Sequence, residues 1–497
     1  MDTYQNQINK HGEYGEVLQI NYPIVKVNGL PNAKVKEVVI FETGELGQVY
    51  DLSTESLRII LFSPQAVKVG TKVTRTGSQI KFPVSENLFG SIINPFGVPI
   101  VAPITVNKTI TYLPIDLAPL NIDKRAKITK PLITGTAVVD IVIPLGKGQR
   151  ELVLGDRKTG KSTFVLSTII NQINNGAVII YAAIGNKKSD IKFLEEQMLK
   201  DELIKNNMIV VASSSFDSPG LIFLTPFTAM SLAEYYRDQG RDVVVILDDL
   251  LTHSKFYREF SLLAEAFPGR DSYPGDIFHI HAKLLERAGN FKYEGKGLPA
   301  GQAGRQGEVS ISALPIAETQ EADLTGYIVS NLMSITDGHL FFDSNVYAKG
   351  IRPAINTSLS VTRVGKQTQD RIMKDINREI AGLFSVFDKV ENLSHFGSEL
   401  SESVKNTLRL GTKIQYFFTQ PEGITYPKEI YLTLFAILWL GIINTEDEIE
   451  NARFKLSESA KDQANLNFLK DLINTDSFNG LLRLVGTKKD EIMKMIS

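Results

Sequence analysis

The stretch Gly155-Asp156-Arg157-Lys158-Thr159-Gly160-Lys161-Ser162 follows an apolar run and precedes a stretch with helical spacing. It matches the pattern G-x-x-x-x-G-K-[ST], in which backbone N–H groups at the positive end of a helix surround phosphate oxygens. Lys161 would neutralise the outer phosphates, the hydroxyl of Ser162 would bind Mg²⁺, and the glycines let the backbone approach closely. The sequence therefore predicts a nucleotide site formed by this stretch together with the next residue, Thr163.

A second signal lies at the end of another apolar run, where Val243 to Leu247 lead directly into Asp248 and Asp249. An acidic residue that ends a buried strand beside a phosphate loop can hold Mg²⁺, usually through water. By itself such an aspartate is more often a turn residue or a helix cap. Because the phosphate loop lies upstream, we interpret Asp248 as a second Mg²⁺ ligand.

The residues around these motifs alternate between apolar, strand-like runs and helical stretches. The runs are Glu151 to Leu154, Ala177 to Ile184, Met208 to Ala212 and Val243 to Leu247. The helical stretches are Lys161 to Asn174, Ile191 to Lys205, Thr225 to Gln239 and Lys255 to Ala266. Continuous Val/Ile runs are typical of strands covered on both faces, which predicts an α/β fold with a largely parallel sheet and ligands at the strand carboxyl ends. The glycine-rich segment from Gly289 to Glu308 is predicted to be a loop.

The two flanking regions have different periodicities. Short β-branched runs broken by turn signals before residue 83 predict a small β-barrel, or alternatively an edge sheet attached to the next domain. Helical spacing dominates after residue 366, for example at Ile372, Ile376 and Ile380. We therefore expect three domains: a barrel at 1–82, a nucleotide-binding α/β domain at 83–366 and a helical domain at 367–497.

The composition excludes several classes of function. Fifty-four Lys and Arg against 56 Asp and Glu leave a net charge of −2, so no global positive field attracts nucleic acid or anionic lipid. The absence of cysteine excludes disulfides and thiolate chemistry. The first residues carry no signal-peptide pattern, and the apolar run from Tyr431 to Ile443 is shorter than the about 20 residues that cross a bilayer. We expect a cytoplasmic protein without direct membrane insertion, in which that run forms a buried helix.

The order and spacing of several motifs resemble the alpha subunits of F-type ATP synthases over nearly the whole chain. The motifs are Gly146-Lys147-Gly148-Gln149-Arg150-Glu151-Leu152, Asp248-Asp249-Leu250, Tyr273-Pro274-Gly275-Asp276, Leu284-Leu285-Glu286-Arg287-Ala288, Ala313-Leu314-Pro315, Glu318-Thr319-Gln320, Arg352-Pro353-Ala354-Ile355-Asn356 and Ser360-Val361-Thr362-Arg363-Val364-Gly365. The resemblance implies an N-terminal barrel, a RecA-like P-loop domain and a C-terminal helical domain. It also implies that the nucleotide is ATP, bound with Mg²⁺.

The same resemblance implies a division of labour between neighbouring subunits. A catalytic subunit resembling beta would carry a Glu where this chain has Asn186, and an amide cannot take up the proton of the attacking water. Hydrolysis at this chain's own site is therefore expected to be very slow. Arg363 would be an arginine finger that reaches the nucleotide of a beta-type partner in an alternating hexamer around a gamma-type shaft, and Ser334 is a weaker candidate at that interface.

Two departures from the family pattern concern nucleotide binding. Lys158 stands where the family usually has Gln, so it either strengthens triphosphate binding or faces the surface. The family brings two glutamines near the adenine, and this chain has Glu422 and Ile424 at those places, with Gln420 as a substitute for one of them. We therefore expect relaxed base selectivity.

Other functions remain open at the level of the sequence. A self-sufficient homohexameric ATPase of the export or helicase type would need a catalytic Glu at Asn186. A purely structural nucleotide-binding protein would not need Arg363 with its flanking signature. The absence of cysteine, the one tryptophan and the Ile/Asn/Lys-rich composition also resemble divergent F-type paralogues of wall-less bacteria, some of which serve surface motility.

Overall fold

The structure of the protein is a computed structural model. It describes residues 3–63, 67–85, 88–101, 110–293, 307–394, 402–421 and 424–496. The chain forms two compact units. The first contains Met1–Lys127, Gly176–Glu318 and Asp323–Thr336, and the second contains Ile128–Asn175, Thr319–Ala322 and Asp337–Ser497. The domain boundaries near residues 82 and 366 stay a prediction.

The N-terminal region is a closed antiparallel barrel, as predicted, and the alternative of an edge sheet is wrong. After helix α1 (Tyr4–His11), the barrel strands are β1 Gly15–Asn21, β2 Ile24–Asn28, β3 Glu37–Phe41, β4 Leu46–Leu52, β5 Leu57–Leu61 and β6 Lys72–Gln79. They pair in the order β1-β2-β5-β4-β3-β6, and β6 returns to β1. Buried aliphatic side chains such as Val25, Val39 and Ile59 fill the interior because alternate strand residues point inward.

The remaining strands belong to the α/β part of the molecule. They are β7 Lys81–Val84, β8 Ile92–Ile93, β9 Thr111–Pro114, β10 Pro131–Leu132, β11 Leu145–Gly146, β12 Glu151–Gly155, β13 Val178–Asn186, β14 Met208–Ser214, β15 Val243–Asp248, β16 Gly289–Tyr293, β17 Gly307–Glu318, β18 Gly338–Phe342 and β19 Val361–Thr362. In the first unit, β17-β15-β13-β14-β8 form a parallel sheet, with β16 antiparallel to β17. In the second unit, β12 and β18 are parallel and β19 is antiparallel to β18.

Helices cover these strands and form the C-terminal region. They are α2 Ala137–Val142, α3 Lys161–Asn174, α4 Lys188–Lys200, α5 Glu202–Lys205, α6 Pro219–Asp238, α7 Leu250–Leu263, α8 Ile277–Leu285, α9 Tyr327–Ile335, α10 Ser344–Ala348, α11 Arg371–Ser394, α12 Glu402–Phe418, α13 Lys428–Trp439, α14 Glu446–Ser459, α15 Gln463–Ile473, α16 Phe478–Thr487 and α17 Lys489–Ile496. The predicted parallel sheet, the C-terminal helices and the buried helix at α13 are confirmed. Among the described residues, no helix has the length and apolarity to span a bilayer.

Two local predictions need correction. The helix expected from Ile191 to Lys205 is broken at Asp201, whose extended backbone ends α4 and whose carboxylate accepts a 2.8 Å hydrogen bond from Leu203 N–H to start α5. The loop expected from Gly289 to Glu308 has paired strands at both ends, because β16 and β17 form an antiparallel ladder. Residues 294–306 lie outside the described part of the chain.

Candidate functional site

The phosphate loop connects β12 to α3, as predicted from its sequence. Gly155 lies so close to β18 that an added Cβ would come 2.3 Å from the carbonyl oxygen of Phe342. Gly160 has a φ of 96° and begins α3 without a side-chain cap, which leaves the first N–H groups of the helix to other acceptors. This is the arrangement that binds phosphate oxygens.

The lysine of the loop is buried at its centre. Lys161 Nζ donates hydrogen bonds to the carbonyl oxygens of Gly155 (2.8 Å) and Asp156 (2.6 Å). Ser162 and Thr163 follow in the first turn of α3, where Ser162 is exposed and Thr163 is half-buried. The ammonium group and the hydroxyl groups thus lie on the same short segment, as phosphate and Mg²⁺ binding requires.

The other side chains of the loop divide into anchors and exposed groups. The carboxylate of Asp156 accepts hydrogen bonds from Thr319 Oγ1 (2.5 Å) and Ala322 N–H (3.0 Å), and Thr159 Oγ1 donates to the carbonyl oxygen of Asp156 at 2.7 Å. Arg157 and Lys158 are exposed, and Lys158 adopts a φ of 63°. Asp156 and Thr159 therefore hold the loop in shape with their side chains, so their predicted contacts with phosphate would come from backbone N–H groups.

A small cavity of about 30 Å³ lies beside the loop in the second unit. Its lining includes Thr163, Phe164, Pro353, Gln420 and Ile424. The side chain of Ile424 lines this cavity and offers no hydrogen-bonding group. Glu422, the other position predicted near the adenine, lies outside the described residues.

The amide of Gln420 is engaged with the backbone of the cavity wall. Its Oε1 accepts a 2.7 Å hydrogen bond from Ala137 N–H, and its Nε2 donates to the carbonyl oxygen of Gly135 at 3.1 Å. The same wall is fixed by the fully buried Asp140, which accepts hydrogen bonds from Thr134 N–H and Oγ1 and from Gly135 N–H. Gln420 would have to share these contacts to bind adenine as well.

In the first unit, polar groups gather at the carboxyl ends of β13 and β15. Tyr181 Oη donates a 2.5 Å hydrogen bond to Asp248 Oδ2, which orients the predicted Mg²⁺ ligand. The neighbouring Asp249, not Asp248, caps α7 by accepting from Thr252 N–H, and burial raises the pKa of Asp249 to about 6. Asp248 is in the first unit and the phosphate loop in the second, and their shared role at Mg²⁺ stays a prediction.

Asn186 ends β13 with its side-chain amide turned toward backbone carbonyls. With the NH₂ group facing those acceptors, its nitrogen lies 3.2 Å from Ile184 O and 3.3 Å from Asp248 O. Both oxygens belong to the strand ends of the same sheet. The amide of Asn186 therefore faces the backbone at the strand ends. A catalytic subunit of the family that the chain resembles would have a glutamate at this position.

Arg363 directly follows β19 and is exposed. Its backbone N–H donates a 2.9 Å hydrogen bond to the carbonyl oxygen of Asp337, which ties the residue to the start of β18. Ser334 is exposed on α9, and its hydroxyl donates to the carbonyl oxygen of Ser330 at 2.9 Å. Ser334 belongs to the first unit and Arg363 to the second, and their common interface stays a prediction.

The sequence analysis assigned no role to two functional candidates, Asp337 and Glu151, although Glu151 and the Arg150 that pairs with Asp337 lie within a quoted motif. Asp337 forms a two-pronged ion pair with Arg150, at 2.9 Å to Nε and 2.7 Å to Nη2. Glu151, the residue after Arg150, is fully buried, and burial raises the pKa of its carboxyl group well above the usual value. A glutamate at the beginning of an apolar run was the available signal for the second.

Comparison with known proteins agrees with this geometry. Residues 135–362 match the family described as the ATP synthase alpha/beta family, nucleotide-binding domain. The chain is 36% identical to ATP synthase subunit alpha of Mycoplasma genitalium (94% of this chain, 88% of the relative). It is 39% identical to that subunit of Acholeplasma laidlawii (85% and 82%) and 34% identical to that of Staphylococcus aureus (92% and 88%).

Proposed function

We propose, since this chain belongs to the alpha subunits of F-type ATP synthases, that it binds MgATP without appreciable cleavage and supplies Arg363 to a neighbouring catalytic site. Membership of the family makes the chain part of a complex that hydrolyses or synthesises ATP. The names of the relatives supply the subunit type, and the phosphate loop supplies the nucleotide-binding chemistry. The finer roles of individual residues are proposed from their chemistry and their surroundings.

The observation that carries the proposal is the amide at Asn186. Transfer of a phosphoryl group to water is accelerated by a residue that orients the water and takes up its proton. Asn186 has no basic carboxylate, and its NH₂ group faces Ile184 O and Asp248 O. The phosphate loop thus has the groups for binding, while Asn186, at the strand end beside Asp248, offers no carboxylate to serve as the base.

Mg²⁺ is assigned to the two oxygen ligands predicted from the sequence. The hydroxyl of Ser162 and the carboxylate of Asp248 are hard oxygen donors, which suit this ion. Asp248 is already oriented by Tyr181, and Ser162 is exposed at the start of α3. When bound, the ion would neutralise charge on the β- and γ-phosphates.

Arg363 is the group through which this chain would act on a partner. Its backbone is tied to β18 and its residue is exposed, so a guanidinium group is presented from a fixed strand end. In a beta-type neighbour of an alternating hexamer, it would stabilise charge on the transferring γ-phosphate, an effect worth about 10³ to 10⁵ in rate. A gamma-type shaft in the centre of the ring completes the proposed assembly. The assembly would serve either ATP synthesis or surface motility.

The test compares the isolated chain with its complex. The purified chain should bind MgATP and turn it over negligibly, whereas steady hydrolysis would favour a self-sufficient homohexameric ATPase. Co-expression with a beta-type subunit should give an active complex in which Arg363→Ala lowers kcat by about 10³-fold or more. Arg363→Lys keeps the charge without the fork geometry and serves as the matched variant. An unchanged kcat for Arg363→Ala would refute the proposal.

A further inference from the structure

Glu151 occupies an unusual place for a carboxyl group. It is the first residue of β12, it is completely buried, and among the described residues its Oε1 has no hydrogen-bond partner. A buried polar atom without a partner is costly, so a role is expected for the group. The nucleotide contacts described above do not use it.

The carboxyl group of Glu151 lies directly against the strand pair that carries Arg363. Glu151 is opposite Gly338 of β18, and Gly338 is opposite Thr362 of β19. A Cβ added at Gly338 would come 2.7 Å and 2.9 Å from the two carboxyl oxygens of Glu151 and 2.2 Å from Val361 O. Only a glycine at residue 338 lets the carboxyl group and β19 approach so closely.

A bridging amide links Glu151 to the residue that precedes Arg363. Gln149 Nε2 donates to Glu151 Oε2 at 2.6 Å and to Thr362 Oγ1 at 3.2 Å. Thr362 Oγ1 in turn donates to the carbonyl oxygen of Pro144 at 2.9 Å and accepts from Gly365 N–H at 3.1 Å. These hydrogen bonds therefore fix Thr362, directly before Arg363, and Gly365, two residues after it.

We propose that Glu151, acting through Gln149 and Thr362, is a positioning residue that fixes the direction in which Arg363 leaves β19. This inference rests on the proposed function of Arg363. The second tether of Arg363, its N–H bond to Asp337, fixes the backbone at the same end of β18. Burial raises the pKa of the Glu151 carboxyl group. An amide at this place keeps an oxygen that can accept the hydrogen bond from Gln149 Nε2, so it should preserve the link.

The experiment uses the complex of this chain with its beta-type partner. Glu151→Ala should lower kcat for ATP hydrolysis by about 10- to 100-fold with the KM for ATP changed less than about 2-fold, because misplacement of a catalytic group by about 1 Å costs this much. Glu151→Gln should retain kcat within about 3-fold. Gln149→Met removes the bridging amide together with the bond that the amide accepts from Gly146 N–H. It should lower kcat like Glu151→Ala and serves if the alanine variant fails to assemble.

The double variant Glu151→Ala with Arg363→Ala distinguishes a positioning role from a general loss of structure. If Glu151 acts through Arg363, Glu151→Ala should change kcat by less than about 2-fold in the Arg363→Ala background. Leu152→Ala is the matched control on the same strand, because Leu152 is fully buried on the opposite face. It should lower thermal stability and leave kcat unchanged.

Three results would overturn the inference. They are an unchanged kcat for Glu151→Ala in a complex that Arg363→Ala inactivates, an equal loss for Glu151→Ala with and without Arg363, and an equal loss for Leu152→Ala. The first of these leaves the proposed function intact. An unchanged kcat for Arg363→Ala would instead refute the proposed function and the positioning role together.

Discussion

Replacement of Asp140 by asparagine is expected to change how the stability of the second unit depends on pH. Asp140 lies in α2, is fully buried, and accepts hydrogen bonds from Thr134 N–H (2.8 Å), Thr134 Oγ1 (2.8 Å) and Gly135 N–H (3.0 Å). These bonds shape the wall that also binds the Gln420 amide. Asparagine keeps the size of the side chain and removes its ionisation.

The magnitude follows from the pKa of the buried group. Burial raises the pKa of Asp140 from 3.8 to about 7, although its three hydrogen bonds oppose the rise. A group whose pKa is higher in the folded state contributes stability that is fully present below about pH 3.8 and is lost as the pH rises through about 7. At about 1.4 kcal/mol for each pH unit, the loss is about 4 kcal/mol in total and about 3 kcal/mol between about pH 5 and pH 8.

The sole tryptophan gives a suitable assay because it belongs to the same unit. Trp439 on α13 packs against Phe435 and Phe478, at 5.5 Å between ring centroids in each case. Its fluorescence in urea should follow unfolding of this unit for the wild type and for Asp140→Asn at each pH. The difference between the two proteins cancels every other titrating group that the substitution leaves unchanged.

Between about pH 5 and pH 8, the free energy of unfolding of Asp140→Asn should rise by about 3 kcal/mol relative to that of the wild type, whatever the difference at pH 5. A deficit of about 1 to 3 kcal/mol at pH 5 is expected, because the new NH₂ group meets an N–H donor. Two parallel stability curves would refute the reasoning, since they would mean that Asp140 ionises in the folded protein as it does in water.

Three further predictions concern other groups of the described chain. Lys158→Gln should weaken ATP binding about 5-fold at low salt, as expected for loss of a solvated charge about 4 Å from phosphate. Calorimetry measures the affinities, with Lys158→Arg as the control. Equal affinities for Lys158→Gln and the wild type would mean that Lys158 faces the surface without contacting phosphate. Tyr181→Phe removes the hydrogen bond to Asp248, so it should weaken binding of MgATP about 3- to 10-fold and leave binding of ATP in EDTA unchanged; an equal loss in both would contradict the assignment. Burial lowers the pKa of His253 to about 4 and that of its partner His281, 3.0 Å away, well below 6.5. Stability present above about pH 6.5 is therefore lost as the pH falls toward 4, by about 3 kcal/mol for His253. Hydrogen exchange of α7 should show this acid loss in the wild type and less of it in His253→Asn, and no difference between them would count against it.

The phosphate loop and the elements next to it were predictable because their signals are local. The pattern from Gly155 to Ser162 lies on consecutive residues, and the helix from Lys161 to Asn174 has the predicted bounds. The runs that became β13, β14 and β15 are apolar throughout, which is possible only for strands covered on both faces. Local propensity and burial agree in these elements, so the pattern is sufficient.

One helix prediction failed where a single polar side chain decided the local geometry, and the contacts of another polar side chain were not foreseen. Asp201 lies within a helical pattern, but its carboxylate stabilises the first N–H groups of a new helix more than it would a continuing one. The adenine role suggested for Gln420 stays a prediction, and its amide contacts the backbone of Gly135 and Ala137, more than 280 residues earlier in the chain. Pairings over such distances have no signal in a single sequence.

Taken alone, the sequence determined the fold class, the phosphate loop and the family, because periodicity, turn residues and ordered motifs are properties of neighbouring residues. Only the tertiary structure decided that Glu151 is buried and that Gly338 brings it against β19, next to Arg363. The physical reason is that burial, and with it the pKa and hydrogen bonding of a carboxyl group, depends on which distant strands cover it. A glutamate at the start of a strand is compatible with water or with the interior until those strands are in place.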